Sequence, residues 1–373
     1  ERLAARPPGP GLPESIGWTI GTWIFLQMVG VGWLIVFIAA KLSMDRDALD
    51  VGMQTFLEIM PVNERIIAML PPNFLALFVI IPVGLLRLGK RPLRKLNFAT
   101  PSATQLTLLF SAVLPASILA TALFVPAESA WNWFCEGNAF LEALNEQINT
   151  MTVVGQLQGG SLLLLLFFLA VVPAVGEEFV FRGVIGRGLT ARWGLWFGIA
   201  LTTLLFTVMH TYPPHIAAVL PLGILMHILY LTTRSFWAPV LLHFANNGMA
   251  AVMLSFKVED RAMSTPILLG ATVFLAIVVI LLFRYRTRYV DDSGEEMSLG
   301  YITVEGACEK SAYRRSARTS WLVILVFGCA TLASALFLVN EIVSQGGAIK
   351  ESAENELTLD VQQKMEDVHI SAR

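Results

Sequence analysis

Residues 175–183 read Val-Gly-Glu-Glu-Phe-Val-Phe-Arg-Gly and close an apolar run that begins at Leu162. The stretch places two adjacent carboxylates, Glu177 and Glu178, and the guanidinium of Arg182 among hydrocarbon side chains. Ionisable groups inside a membrane segment are costly and usually functional. The stretch therefore indicates a polar site within a membrane helix.

Helical spacing divides these charges into a pair and a single carboxylate. Glu178 and Arg182 are four residues apart with the acid first, so on a helix they share one face and can neutralise each other. Glu177 lies about 100° round the same helix and has no such partner. A carboxylate left unpaired at low dielectric resists ionisation, as a general base working near neutral pH must. We therefore expect Glu177 to be the chemically active member of the group.

Composition shows the environment of this stretch. The chain has 373 residues, of which 55% are hydrophobic and only 14% charged, and its formal net charge is −2. This composition is too apolar for an ordinary soluble globular protein. The slightly negative net charge provides no basic surface for a nucleic acid, so we expect no nucleic-acid partner. The cysteines, Cys135, Cys308 and Cys329, stand singly and indicate neither a disulfide framework nor a zinc knot. The lipid bilayer is the expected surrounding.

Apolar segments of spanning length recur along the whole chain. They cover residues 16–40, 66–86, 105–125, a segment from 161 onward, 195–210, 215–233, 235–256, 266–283 and 321–339. The pattern predicts an all-α polytopic transmembrane helical bundle of about eight to nine spans. Residues 41–65 mix acids with apolar residues at helical spacing and predict an interfacial helix. Residues 341–373 predict an acidic, partly disordered tail.

Loop charges predict the orientation. Residues 87–95 carry five Lys or Arg and no acid, which the positive-inside rule places in the cytoplasm. Residues 126–159 carry four glutamates and no Lys or Arg, and belong on the opposite side. We expect an integral protein of the plasma (inner) membrane with its site towards the cytoplasmic side.

The same reading divides the chain into three regions. Residues 1–160 form an N-terminal transmembrane region of three spans plus interfacial helices. Residues 161–256 form the core that carries the polar motifs. Residues 257–373 contribute C-terminal spans, a cytoplasmic loop and the polar acidic tail.

Two further polar motifs follow the glutamates, each at a four-residue spacing. Phe206 and His210 share one helical face, as do His243 and Asn247. Measured from the nearest basic residues, His210 comes out deeper in the membrane than the other groups. We therefore expect its helix to be tilted, or to begin above the membrane, if the motifs are to meet.

Together the motifs resemble a known family, the CAAX proteases and bacteriocin-processing enzymes, also called Abi proteins, which include the Ras-converting CAAX prenyl endopeptidase. That family's motifs are EExxxR, FxxxH and HxxxN. They stand here, in order, as Glu177-Glu178 with Arg182, Phe206 with His210, and His243 with Asn247. The resemblance covers residues 161–256, about a quarter of the chain. His227 departs from it, because a small residue is expected at that point.

The resemblance implies an intramembrane endopeptidase of the glutamate type. In that reading Glu177, helped by His210, takes a proton from the water that attacks the scissile carbonyl. His243 and Asn247 donate hydrogen bonds to the developing oxyanion, and no cofactor is needed. Glu178, Arg182 and Phe206 support the site. The partner is a membrane protein or peptide substrate, and a prenylated CAAX tail, a leader peptide and a membrane protein are all compatible with the sequence.

Other interpretations remain open from the residues alone. Glu177, His210 and His243 could bind Zn²⁺ with an open fourth position for water. The chain could be a non-catalytic membrane scaffold or immunity factor, or a proton-coupled transporter that uses the same buried charges. His215 and His227 lie outside the motifs, and we interpret them as packing residues.

Overall fold

Apolar residues fold into helices in the computed structural model, which describes residues 9–44, 60–257, 264–290, 296, 299–301, 313–315 and 319–344. The helices are α1 (Leu12–Met44), α2 (Val62–Leu88), α3 (Pro92–Leu96), α4 (Ala103–Ser111), α5 (Val113–Cys135), α6 (Ala139–Ile148), α7 (Thr150–Gly155), α8 (Leu162–Trp193), α9 (Leu195–Val208), α10 (Pro213–Thr233), α11 (Trp237–Ser255), α12 (Thr265–Arg284) and α13 (Trp321–Ser344). A short antiparallel ladder pairs β1 (Arg288–Val290) with β2 (Tyr313–Arg315).

The all-α polytopic fold predicted from hydropathy is confirmed. In the described part of the chain, 7 helices are long and apolar enough to cross a membrane. Helix α9 has only 14 residues, because the chain leaves the helix at Val208. Helix α11 has 19 residues, and its first half carries the polar motif of His243. These two helices account for the difference from the predicted eight to nine spans.

Burial separates a central helix from a peripheral one. In the most apolar 18-residue stretch of α10, 67% of the residues are buried within the protein, compared with 6% in the corresponding stretch of α1. A helix enclosed by other helices can hold polar groups that would be costly against lipid. The centre of the bundle, around α10, is therefore the place for the charged motif of α8.

Helix α8 departs from regular α geometry around that motif. Two π-helical turns, Leu166–Val171 and Phe179–Ile185, flank the α-helical segment Val172–Glu178. Pro173 lies at the start of that segment and lacks a backbone N–H, which favours irregular hydrogen bonding in the preceding turn. Each π turn widens the helix locally and re-aims the side chains beside it. The two glutamates thus lie between two such turns.

His227, where a small residue was expected, has a partner in the polar loop. Its ring is buried, and Nε2 lies 3.1 Å from the hydroxyl of Tyr301. A Cβ added at Gly186 would collide with that hydroxyl and lie 2.9 Å from His227 Cε1, so glycine makes the room. Burial raises the pKa of the Tyr301 phenol, which therefore stays neutral. The larger residue is thus accommodated, as a hydrogen-bonded packing residue.

Two predicted segments fall mainly outside the described residues. The interfacial helix expected at 41–65 includes residues 45–59, and the acidic tail expected from 341 includes residues 345–373.

Candidate active site

A buried ion pair lies at the centre of the motif. Arg182 Nη1 is 2.7 Å from Glu178 Oε1, and both side chains are inaccessible to solvent. Arg182 also donates to the backbone carbonyl of Gly223 at 2.8 Å, and its guanidinium lies 4.5 Å from the ring centroid of Phe206. The pairing follows the spacing predicted from the sequence. Because its partners come from α8, α9 and α10, the arginine joins three helices.

His243 lies between the two glutamates. Its Nδ1 is 3.1 Å from Glu178 Oε1, and its Nε2 is 4.0 Å from Glu177 Oε2. An ionised carboxylate only accepts hydrogen bonds, so the contact with Glu178 assigns the proton of a neutral ring to Nδ1. Nε2 then presents a lone pair towards Glu177. In this tautomer the ring is an acceptor on the side of Glu177, whereas the sequence-based role required a donor.

Glu177 is the unpaired member of the group, as its position on the helix predicts. Its side chain is 27% exposed, but Oε2 is buried and has no hydrogen-bond partner among the described residues. A buried carboxylate oxygen without a partner is costly, and such groups are characteristic of functional sites.

His210 lies just beyond the end of α9 and not within a tilted span. Its Nδ1 is 3.3 Å from the Phe206 carbonyl, which can only accept, so Nδ1 carries the proton and Nε2 is left as an acceptor. The sequence-based depth of Glu177 was measured from Arg187, which is buried inside the bundle, and that of His210 from Arg192, so the two depths had different reference points. The chain turns from α8 into α9 at Gly194. Glu177 lies 17 residues before this turn and His210 lies 16 residues after it, about 25 Å along each helix, so the two side chains lie at similar distances from the turn.

The ring of Phe206 contacts the other motif residues. It packs edge to face against Phe181, His210 and His243, with ring centroids 5.4, 5.3 and 6.1 Å apart. Its close approach depends on Gly223, where a Cβ would lie 3.1 Å from the Phe206 ring. Edge-to-face contacts of this kind fix ring orientation. Phe206 therefore orients both histidines.

Asn247 makes hydrogen bonds that join neighbouring helices. Its Nδ2 donates to the Leu169 carbonyl at 2.9 Å, within the first π turn of α8, and its Oδ1 accepts from Asn246 at 3.2 Å. Asn246 in turn accepts from Ser117 at 2.9 Å. These contacts tie α11 to α8 and α5. The structure thus brings Glu177, His210 and His243 together, and Asn247 binds the Leu169 carbonyl of α8.

Two cavities are lined by Glu177. The larger has a volume of about 510 Å³ and is also lined by His210, Thr211 and His215. The smaller, of about 170 Å³, lies between α1, α2 and α8. Both are lined by Leu26, Asn73, Glu177 and Met209. Helices of the N-terminal region, α1 and α2, therefore form walls of the site.

His215 belongs to this site, although its lone position in an apolar helix suggested a packing role. Its ring lies 4.6 Å from that of His210 in a T-shaped arrangement, and its Nδ1 is buried without a hydrogen-bond partner in the described part of the chain. The sequence feature that could have indicated this position is Pro213-Pro214. The two prolines begin α10 after a turn, and that turn brings His215 beside His210.

The geometry bears on the predicted zinc alternative. Among the residues that the structure describes, no group of three His, Cys, Asp or Glu side chains is arranged to hold a metal ion. His243 also directs Nδ1 to a carboxylate already bound to Arg182. Glu177, His210 and His243 do not form a three-ligand site in this arrangement.

Comparison with known proteins supports the resemblance carried by the motifs. Residues 159–249 match the family model of the type II CAAX prenyl endopeptidases, Rce1-like. This segment is therefore similar to the CAAX proteases. The matched segment contains every motif residue, and the other helices of the bundle lie outside the match.

The sequence is also similar to that of one curated bacterial protein. Over 108 residues the chain is 23% identical to "Putative membrane peptidase YdiL" of Bacillus subtilis (strain 168). The alignment covers 29% of this chain and 43% of that protein, less than half the length of either. No solved structure matches the chain significantly.

Proposed function

We propose that the protein is a CAAX-type intramembrane endopeptidase that hydrolyses a peptide bond with a water activated by Glu177. The observation that carries the proposal is the position of Glu177 Oε2: buried, without a hydrogen bond, and 4.0 Å from His243 Nε2. That separation suits a water hydrogen-bonded to both atoms. The site is open to a cavity large enough for a peptide segment.

The reaction follows from this arrangement. Glu177 takes a proton from the water as its oxygen bonds to the scissile carbonyl carbon. The carbonyl oxygen becomes an oxyanion that nearby donors stabilise. The tetrahedral intermediate collapses when the C–N bond breaks and the proton passes from Glu177 to the leaving nitrogen. The products are a carboxylic acid and an amine, and transfer of the acid's proton to the amine gives a carboxylate and an ammonium group.

The surrounding residues prepare these groups. Glu178 holds the proton of His243 on Nδ1, and so keeps Nε2 directed towards the water. His210, with Nε2 as an acceptor, assists the water from the cavity side. Phe206 holds both rings in place through its edge-to-face contacts. We propose these as positioning and proton-transfer roles around one carboxylate.

The substrate class follows from the site's location and the family. The cavity is bounded by membrane helices, so the cleaved bond belongs to a membrane-associated protein or peptide. The matched family is described by its action on prenylated CAAX sequences, which makes such a tail the first substrate to test. A leader peptide is the alternative from the same chemistry.

The test is direct cleavage by purified protein reconstituted in liposomes. A farnesylated CAAX peptide and the same peptide without the lipid are incubated separately, and the products are identified by mass spectrometry. We expect one internal peptide bond to be cut in at least one of them, with water as the only co-reactant. If both peptides and a library of leader peptides stay intact, the protein acts as a scaffold and the proposal is wrong.

A further inference from the structure

Asn73 is a polar side chain in a membrane helix far from the family motifs in sequence. It follows Pro71 and Pro72 in the middle of α2, and lies outside the matched residues 159–249. A primary amide in a spanning helix is costly unless it is hydrogen-bonded or functional. Its side chain makes no hydrogen bond to any residue that the structure describes, while its neighbours on the helix are apolar.

The packing of α2 brings this amide to Glu177. A Cβ added at Gly176 would lie 2.6 Å from Leu77 Cδ2, so the two helices touch directly beside the glutamate. Asn73 is four residues before Leu77, one helical turn along the same face. It lines both of the cavities that Glu177 lines. Asn73 therefore faces Glu177 across the place where a substrate would lie.

The other asparagine amides near the site are already engaged. Asn247 donates to Leu169, and Asn246 bonds to Asn247 and Ser117. The neutral tautomers assigned to His210 and His243 present acceptors. Hydrolysis by Glu177 needs a neutral donor for the oxyanion, and a primary amide supplies one without adding a buried charge.

We propose that Asn73 is a further catalytic residue, donating a hydrogen bond from Nδ2 to the carbonyl oxygen of the scissile peptide bond. The inference rests on the proposed endopeptidase activity and adds to it a donor from the N-terminal helices. In this arrangement α8 supplies the base and α2 supplies the donor, so the substrate segment lies between α2 and the motif helices. Helix α2 is thereby part of the active site and not only its support.

The test compares substitutions at Asn73 by kinetics. Asn73→Leu keeps the approximate volume but removes the donor, and Asn73→Gln keeps the donor on a longer side chain. With the farnesylated CAAX peptide as probe, we expect Asn73→Leu to lower kcat on the order of 100-fold with KM little changed. Asn73→Gln should recover part of the loss. Because leucine suits a membrane helix better than asparagine, the melting temperature of Asn73→Leu should not fall.

A matched control is Thr272→Val in α12. Among the described residues, the Thr272 hydroxyl bonds only to the Leu268 carbonyl of its own helix. Thr272 lines neither cavity, so the change removes a polar group away from the site. It should leave kcat and KM unchanged. If Asn73→Leu cleaves at the wild-type rate while Glu177→Gln does not cleave, the inference about Asn73 is wrong and the proposed function stands.

A binding measurement keeps the two claims separate. In a cysteine-free protein carrying Glu177→Gln, the variant Asn73→Cys is alkylated with N-ethylmaleimide with and without the farnesylated peptide. Protection by the peptide is expected, and supports contact at this position even if the wild type does not cleave that probe. Unchanged alkylation would overturn the inference. A cysteine at Thr272 should react equally in both conditions.

Discussion

Nδ1 of His243 lies 3.1 Å from Oε1 of Glu178, the same oxygen that binds Arg182 at 2.7 Å. One carboxylate oxygen therefore compensates a buried cation and orients the imidazole whose other nitrogen faces Glu177. The second glutamate of the pair is thus connected to the proposed chemistry through His243. Its loss should affect both the stability of the bundle and the reaction.

Replacing Glu178 tests this double connection. Glu178→Gln leaves Arg182 as an uncompensated charge in a fully buried position, and should destabilise the protein by about 3–5 kcal/mol. Activity should also fall, because the amide no longer favours the proton on His243 Nδ1. The measurements are a thermal melting curve and peptide cleavage on the same preparation.

A charge-neutral double variant is the control for Glu178→Gln. Glu178→Gln combined with Arg182→Met removes the stranded cation, and should recover stability relative to the single variant without recovering activity. A Glu178→Gln protein that melts at the wild-type temperature would contradict the role assigned to this pair.

His215 should act through the orientation of His210. An edge-to-face ring contact contributes about 0.5–1.5 kcal/mol, so His215→Ala should slow turnover roughly 2- to 10-fold. His215→Phe keeps a ring at the same place and should retain most of the activity. If His215→Phe is as impaired as His215→Ala in kcat, a nitrogen of His215 is itself required and the orientation role is wrong.

The sequence predicts the parts of this site that lie within one helix. The four-residue spacing of Glu178 and Arg182 correctly placed their ion pair, and the unpaired position of Glu177 was equally readable from helical geometry. Hydropathy predicted the apolar helices, but α9 and α11 are not among the 7 helices of the described residues that are long and apolar enough to cross a membrane. Local periodicity is sufficient for such features because all the contacts lie within one or two helical turns.

The contacts between helices could not be read from spacing. The orientation of His243 and the bond of Asn247 to Leu169 both depend on how α11 packs against α8. The depths of Glu177 and His210 were not comparable, because that of Glu177 was measured from Arg187, which is buried inside the bundle. The place of Asn73 beside Glu177 arises from packing across about 100 residues of sequence.

Metal removal tests the zinc alternative directly. We expect the purified protein to carry substoichiometric metal, measured by inductively coupled plasma mass spectrometry, and to keep its activity after treatment with 1,10-phenanthroline and EDTA. A stoichiometric zinc content, with activity lost on chelation and restored by added Zn²⁺, would make the zinc mechanism the correct one.

Membrane orientation is tested by thiol labelling in a cysteine-free protein. Lys90 and Glu136 are exposed and lie in the basic and the acidic connection respectively. A cysteine at Glu136 should react with a membrane-impermeant reagent in intact cells, and a cysteine at Lys90 only after the cytoplasmic face is opened. The reverse pattern would invert the predicted topology and the side from which substrate enters.

The central claim is that Glu177 is the base that activates water. Glu177→Gln keeps the volume and the hydrogen-bonding capacity of the side chain but removes the ionisable oxygen, so the protein should fold and bind substrate normally. The matched control is Glu146→Gln, which makes the same change at an exposed glutamate on α6. This variant should cleave at the wild-type rate.

The deciding measurement is the rate at which liposome-reconstituted Glu177→Gln protein cleaves a peptide that the wild type cuts, with melting curves recorded for both. The account predicts turnover at the limit of detection and a melting temperature no lower than that of the wild type. Turnover at the wild-type rate by a correctly folded Glu177→Gln protein would contradict it.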